Sequence, residues 1–324
     1  MATTIYFATN RNPIERDGSV VDFGKNLSPE GSDDLRFGLA MVEDGKIVDL
    51  KVAPNKPEEG SGAVYNEVKK KMAEQGRSTM IIIHGYATSF VQAVIGAAKT
   101  KAAFKDANLN VFVFTWPSDG QNFPPTAYSN DRRDAVTSGP AFARGIMKLI
   151  EFLSVGEACG QKVHLLCHSM GNYVLRNALQ AMIDTWTGTQ LPKIFENIFS
   201  FAADEDADAL EDDKKLKRLP ELTRHLHIYF NNHDHALNVS NRTKGNPDRL
   251  GSDGPAHPLD VHSKVTLVDV SRTDRFLLDA VGHGYYDTQE KVVNDVLSVL
   301  AGKEPDQIPG RLYVPAKNRY CVIG

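Results

Sequence analysis

A serine, a histidine and an aspartate placed in the right order can carry out acyl transfer, and this sequence holds a candidate for each. The run Val163-His164-Leu165-Leu166-Cys167-His168-Ser169-Met170-Gly171-Asn172 takes an apolar, strand-like stretch straight into a serine, and a helical pattern follows at once. A tight strand-to-helix turn raises a nucleophilic serine in this way, and because it strains the backbone the residues two positions to either side must be small. The usual pattern is Gly-x-Ser-x-Gly; here Gly171 is present and Cys167 replaces the first glycine. At a strand end Cys167 reads as a buried thiol. The plain alternative for Ser169 is a helix N-cap.

A serine hydroxyl is a weak nucleophile and needs a base within hydrogen-bond reach. Among ten histidines, His168 is adjacent in sequence, but its side chain is expected to point away from that of Ser169. In the strand-helix architecture that raises such a serine, the acid and then the histidine follow it in the chain. His283, in Val281-Gly282-His283-Gly284, lies beyond the last apolar run with a glycine on each side, which permits an irregular backbone that aims the ring. Asp234 falls just past the run Leu226–Phe230 and would hold the imidazole in one tautomer. Asp204, at the end of the preceding run, is the alternative acid. Backbone N–H groups must face the oxygen of a tetrahedral intermediate. The residue after the nucleophile, Met170, and Tyr86 in the Gly-containing loop His84-Gly85-Tyr86 are the expected donors, with His84 fixing that loop.

These residues need strands to present them. From residue 79 onward, short apolar runs (Met80–Ile83, Val111–Phe114, Val163–Leu166, Ile198–Phe201, Leu226–Phe230, Val265–Val270) alternate with helical patterns near 89–105, 130–153, 170–184, 207–219 and 287–301. Continuously apolar strands separated by helices predict a mostly parallel central sheet with helices on both faces, an α/β fold. Upstream, 5–8 and 35–42 read as strands, 43–46 as a hairpin turn, 53–62 as a loop, and 64–74 as a helix. The expected organisation is one domain over 1–302, with N-terminal strands and connection in 1–75 and the catalytic core in 76–302. Residues 303–324 form a C-terminal tail with two extended-looking pieces and no obvious partner.

Composition bounds the function classes. The chain has 324 residues, 41% hydrophobic and 24% charged, with a net charge of −4, so no basic surface argues for nucleic acid. Three cysteines, Cys159, Cys167 and Cys321, do not make a disulfide framework and suit a reducing, cytoplasmic location. The N-terminal residues lack a signal-peptide pattern, and no apolar run approaches the roughly 20 residues of a membrane helix. No nucleic-acid or membrane partner is expected.

With these motifs placed, the chain resembles the alpha/beta-hydrolases, in particular a bacterial esterase/lipase-like branch of unknown substrate. The matching pieces are Phe7-Ala8-Thr9-Asn10-Arg11, His84-Gly85-Tyr86, Phe114-Thr115-Trp116-Pro117-Ser118, His168-Ser169-Met170-Gly171-Asn172, Ala202-Ala203-Asp204, Asn232-His233-Asp234-His235 and Gly282-His283-Gly284-Tyr285-Tyr286. The resemblance implies an alpha/beta-hydrolase fold and a triad mapping onto Ser169, Asp234 and His283. The activity expected is hydrolysis of a small-molecule carboxylic ester, with no cofactor and no metal.

Loops at the carboxyl ends of the strands should form the pocket, with Phe90, Phe123, Tyr128, Leu237 and Tyr285 as apolar walls. No large helical insertion follows Phe201, so no large lid is expected. The rivals are a metal site on His225, His227, His233 and His235, which lacks an accompanying ligand motif; an acyltransferase, thioesterase or amidase using the same triad; and a non-catalytic binding module.

Overall fold

The computed structural model describes residues 2–31, 34–56, 58–121, 126–154, 160–237, 248–273 and 282–323. Its strands are β1 (Thr3–Thr9), β2 (Arg11–Arg16), β3 (Ser19–Leu27), β4 (Arg36–Glu43), β5 (Lys46–Val52), β6 (Ser78–Ile83), β7 (Leu109–Thr115), β8 (Val163–His168), β9 (Phe195–Phe201), β10 (Thr223–Phe230), β11 (Val265–Asp269), β12 (Arg311–Val314) and β13 (Arg319–Val322). The main helices are α1 (Ala63–Gln75), α2 (Phe90–Ala103), α3 (Thr126–Ser154), α4 (Gly171–Thr185) and α5 (Glu290–Leu300).

Eleven strands form one sheet in the order β12-β13-β11-β10-β9-β8-β6-β7-β1-β4-β5. From β13 to β1 every neighbouring pair is parallel. The edges are closed by the antiparallel pairs β1–β4, β4–β5 and β12–β13. The central strands carry continuous apolar runs because both faces are covered: all seven residues of β7 are buried. Side chains alternate across a strand, so Ile81, Ile83, Phe112, Phe114, Leu165 and Cys167 meet α1, α3 and α4. Met80, Ile82, Val111, Val113, Leu166 and Phe199 meet α2 and α5 on the other face. The helices answer with stripes at helical spacing: Val174, Leu175, Ala178, Leu179 and Met182 in α4, and Val292, Val293, Val296 and Val299 in α5. Burial of one such leucine contributes about 2 kcal/mol. Ser89 starts α2 with a reciprocal capping box to Gln92.

Three features differ from the sequence reading. The connection between β1 and β4 contains the hairpin β2–β3, turned by Asp17 and Gly18 at φ 51° and 75°. The Asp-Gly signal was there, but apart from Arg11 and Phe23 its strands carry exposed or half-exposed side chains and so lack an apolar run. The helix expected over 207–219 is instead a series of turns. Asp side chains there compete for the backbone: Asp212 Oδ1 accepts the Lys214 N–H, and Lys215 Nζ binds Asp206 and Asp208. The tail has a partner after all, since β13 pairs in parallel with β11 and buries Cys321 and Val322. No described helix is long and apolar enough to cross a membrane.

Candidate active site

β8 ends at His168, and Ser169 takes φ 54° before α4 begins at Gly171. A residue with a Cβ resists this left-handed region by about 1–2 kcal/mol, so the turn must be held from outside. Ser169 N–H donates to Phe201 O at 3.0 Å, and Asp204 N–H to Ser169 O at 3.3 Å. The buried Asn172 amide donates to Cys167 O, Ser169 O and Phe201 O at 3.3, 3.1 and 3.3 Å, and its oxygen accepts Ser200 Oγ–H at 2.7 Å. Asn172 thus binds the ends of β8 and β9 together, a role that the sequence reading missed although it quoted the residue. Gly171 has no room for a side chain: a Cβ would sit 2.5 Å from Ile83 O and 2.7 Å from His84 O. Cys167 packs in the core beneath α4, and burial pushes its thiol pKa well up, so it stays protonated. This agrees with its reading as a buried thiol.

His283 Nδ1 lies 2.6 Å from Asp234 Oδ2. Asp234 is wholly buried, while the His283 side chain is 20% exposed. The second carboxylate oxygen accepts the Leu237 N–H at 3.0 Å, so both oxygens of Asp234 are directed. Gly282, at φ 69°, admits His283: a Cβ there would stand 2.7 Å from His233 O. Asn231 Nδ2 secures Gly282 O at 2.9 Å. His168 packs its ring on that of His283, with centroids 4.7 Å apart, and its Nε2–H donates to His283 O at 3.0 Å. A Cβ placed on Gly85 would meet Ser169 Cβ at 2.9 Å and His168 Nδ1 at 3.1 Å. Ser169, Gly85, His168, His283 and Asp234 therefore form one contiguous cluster at the carboxyl ends of β6, β8 and β10. The positioning contact of His168 was not foreseen; its only signal was adjacency to Ser169.

The loop after β6 stands beside the serine. Burial lowers the His84 pKa to about 3, so the ring is neutral. Trp116 N–H donates to its Nε2 at 3.2 Å, which leaves the proton on Nδ1 to donate to Gly85 O at 2.8 Å. Trp116 stacks on the ring at 5.2 Å and donates Nε1–H to His84 O at 3.0 Å. His84 thus fixes the loop through hydrogen bonds, as the sequence suggested. Among the described residues, neither Met170 N–H nor Tyr86 N–H donates to another protein group.

The proposed pocket walls divide. Tyr128 is half-buried and meets the half-buried Tyr86 ring edge to face at 5.6 Å. Phe90 is instead core, 1% exposed and packed on Phe7 and Phe23. Its position as the first residue of α2 turns it under the helix rather than toward the strand ends. Tyr285 is also core: its hydroxyl donates to Tyr229 O at 3.0 Å and accepts the Ala202 N–H at 3.0 Å. Leu237 is buried behind Asp234. Phe123 lies outside the described residues, as does Cys159. Asp204 lies instead against Tyr128 OH, Arg132 Nη1 at 3.7 Å and Arg249 Nη1 at 3.5 Å. Of the strand histidines, His227 Nε2–H donates to Asn197 Oδ1, and Asn197 Nδ2 donates to His164 Nδ1, each at 3.1 Å.

Comparison with known proteins places this geometry in a family. The family described as "Alpha/beta hydrolase of unknown function (DUF900)" matches residues 61–301. An uncharacterized protein of Nostoc sp. (strain PCC 7120), alr1448, is 27% identical over 212 residues, covering 55% of this chain. The chain spans about half the length of that relative, 51%. Among solved structures, a truncated carbohydrate esterase from gut microbiota is 12% identical at a TM-score of 0.32, over 70% of this chain and 85% of that one. Aspergillus fumigatus lipase B is 15% identical at a TM-score of 0.26, over 41% and 26%. With a parallel sheet flanked by helices, a left-handed serine turn after β8 and a family match over most of its length, the chain belongs to the alpha/beta-hydrolase family of unknown function.

Proposed function

We propose that this protein is a serine hydrolase that cleaves carboxylic esters through an acyl-enzyme on Ser169. The observation that carries the reading is the 2.6 Å contact between His283 Nδ1 and the buried Asp234 carboxylate, in the same cluster as the strained Ser169 turn. With Nδ1–H committed to Asp234, Nε2 is the basic nitrogen and can take the serine proton. Ser169 Oγ then attacks the ester carbonyl, and the Met170 and Tyr86 N–H groups stabilise the oxyanion. Protonated His283 gives its proton to the leaving alcohol. A water activated by the same nitrogen releases the acid and restores the serine. Tyr86 and Tyr128 supply an aromatic wall suited to a neutral acyl or alcohol group.

Fluorophosphonate labelling tests the nucleophile. Stoichiometric labelling of the wild type that is abolished in Ser169→Ala is expected; persistent labelling of that variant removes Ser169 from the role. A panel of chromogenic esters of increasing acyl length tests the substrate class. Labelling at Ser169 without turnover of any ester would redirect the reading to amide or thioester chemistry.

A further inference from the structure

We propose that two buried, oppositely charged residues, Asp131 and Arg11, are positioning residues that hold the loop Tyr86–Thr88 so that the Tyr86 N–H faces the reacting carbonyl at Ser169. The inference rests on the reading of Tyr86 as an oxyanion donor. It explains two charges that the chemistry above does not use.

The loop needs holding. Ala87 lies at φ 55°, a left-handed conformation next to the candidate donor. Asp131, wholly buried on α3, grips this residue from one side. Its Oδ2 accepts the Ala87 N–H at 3.0 Å and the Ser118 hydroxyl, while Oδ1 accepts the Asp119 N–H at 2.9 Å. Ser118 Oγ in turn accepts the Thr88 N–H at 2.9 Å.

Arg11, wholly buried where β2 begins, grips the loop from the other side. Nη2–H donates to Thr88 O at 2.7 Å, Nη1–H to Ser118 O and Gly24 O at 3.1 Å each, and Nε–H to Thr115 Oγ1 at 2.9 Å. Among the described residues Arg11 has no carboxylate within ion-pair distance; its donors go to carbonyls and a hydroxyl. The anion takes the loop's donors and the cation takes its acceptors. Ser118 belongs to both sets.

Every peptide of the loop is thereby fixed. The 86–87 peptide is held by Asp131 at its N–H and by Thr88 Oγ1 at its carbonyl, 3.1 Å away. Ser118 holds the 87–88 peptide, and Arg11 holds the 88–89 peptide. His84 Nδ1–H holds Gly85 O, and in a trans peptide the Tyr86 N–H points the opposite way from that carbonyl. Burying an ion costs several kcal/mol, so neutral partners would anchor an ordinary loop with less penalty. Charge-assisted bonds are roughly twice as strong as neutral ones. They suit a loop whose donor must not relax as negative charge grows opposite it. Burial raises the Asp131 pKa and lowers that of Arg11 to about 9, and the surrounding bonds keep both in place.

Asp131→Asn tests the inference. The amide has only one acceptor oxygen, so its NH2 must confront one of the three donors. The measurements are the second-order rate of fluorophosphonate labelling, the end-point stoichiometry, Tm, and kcat and KM on a chromogenic ester. The expected result is labelling and kcat roughly 10- to 100-fold slower, with full end-point labelling and KM within about threefold of wild type. A lower Tm with an unchanged rate per titrated serine would overturn the inference, since a purely structural anchor would give that result. Should Asp131→Asn fail to fold, Ser118→Ala decides, because it removes only the bridge to Thr88 N–H and Asp131. Its labelling should slow by about three- to tenfold, and a wild-type rate overturns the inference. Labelling that persists in Ser169→Ala defeats the hydrolase reading itself, and it is seen without either loop variant.

Discussion

Replacing Asp234 by asparagine separates the two candidate acids, and its cost can be worked from the bonds. Asp234 Oδ2 faces His283 Nδ1 and Oδ1 faces the Leu237 N–H, so both positions require an acceptor. Asparagine supplies one oxygen. If that oxygen stays on Leu237, the NH2 faces His283 and the imidazole must move its proton to Nε2, where it can no longer act as a base. If the amide flips, two donors confront one another at Leu237, a buried conflict costing about 1–3 kcal/mol. The first arrangement keeps every bond satisfied and should dominate. A wrong tautomer of this kind lowers kcat by about 10⁴ in a serine protease whose base histidine is held by a buried aspartate, equivalent to about 5.4 kcal/mol of barrier.

Asp204→Asn has the opposite profile. Asp204 lies against Tyr128, Arg132 and Arg249, and Arg249 keeps Asp206 Oδ1 at 3.2 Å when Asp204 loses its charge. Arg132 is partly exposed, so solvent screens its share. The expected cost is at most about 3 kcal/mol of stability and less than about tenfold in kcat. Steady-state kinetics on one ester, corrected by serine titration, with urea denaturation for stability, reads both variants. A larger kcat loss in Asp204→Asn than in Asp234→Asn would refute the assignment of the acid.

Gly171→Ala forces a Cβ against two backbone oxygens at the end of β6, and should cost about 1–3 kcal/mol while lowering kcat by displacing Ser169 from the Gly85 loop. Unchanged Tm and kcat would show that α4 shifts freely there. The buried histidines predict acid sensitivity. Burial lowers His84 to about 3, His164 to about 4, and His227 below its usual value, whereas in the unfolded chain each protonates near its ordinary value. At these three sites the unfolded state binds more protons below about pH 6.5, so they remove stability as the pH falls, by up to about 1.4 kcal/mol per unit for each proton withheld. Glu205 and Asp134, raised by burial to about 7 and about 6, act in the opposite direction. Urea titrations at pH 7 and pH 5 isolate the His227 share, since His227→Gln should lose less stability on acidification than the wild type; the same pH dependence in both contradicts it.

The parts of the site legible in the sequence are those that local pattern controls. The apolar runs of β6, β8 and β10 are buried without interruption, and they located the loops bearing Tyr86, Ser169 and Asp234. Gly282 and Gly171 marked backbones where a Cβ has no space. What could not be read depends on distant partners. Phe90 and Tyr285 lie near Tyr86 and His283 in the chain, yet their rings belong to the core packed against α2 and α5. Asp131 looks like a surface helix acid until Ala87 and Ser118 are seen against it, 44 and 13 residues away. The turns over 207–219 carry opposite charges at helical spacing, but Asp212 binds its own neighbouring backbone instead.

One constraint links Ser169 to the loop that carries Gly85 and Tyr86. The strained Ser169 turn is offset by its bonds to Phe201 O and Asp204 N and by the Asn172 amide, each contributing about 1 kcal/mol. Those bonds tie Ser169 to β9. The absence of a side chain at Gly171 lets α4 press directly on Ile83 O and His84 O, which ties it equally to β6. Since Gly85 abuts Ser169 Cβ, the distance from Ser169 to the Gly85–Tyr86 loop is set by backbone contact on both sides. Cys167 is tolerated in place of glycine because its side chain descends into the core beneath α4, where a small apolar group fits. Gly171 faces backbone atoms that cannot move without separating the two strands, so the two flanks of Ser169 carry unequal constraints. Cys167→Gly should therefore leave kcat within about threefold and cost only the lost packing of one small side chain, about 1 kcal/mol. A kcat loss matching that of Gly171→Ala would show that position 167 constrains the turn as tightly as position 171.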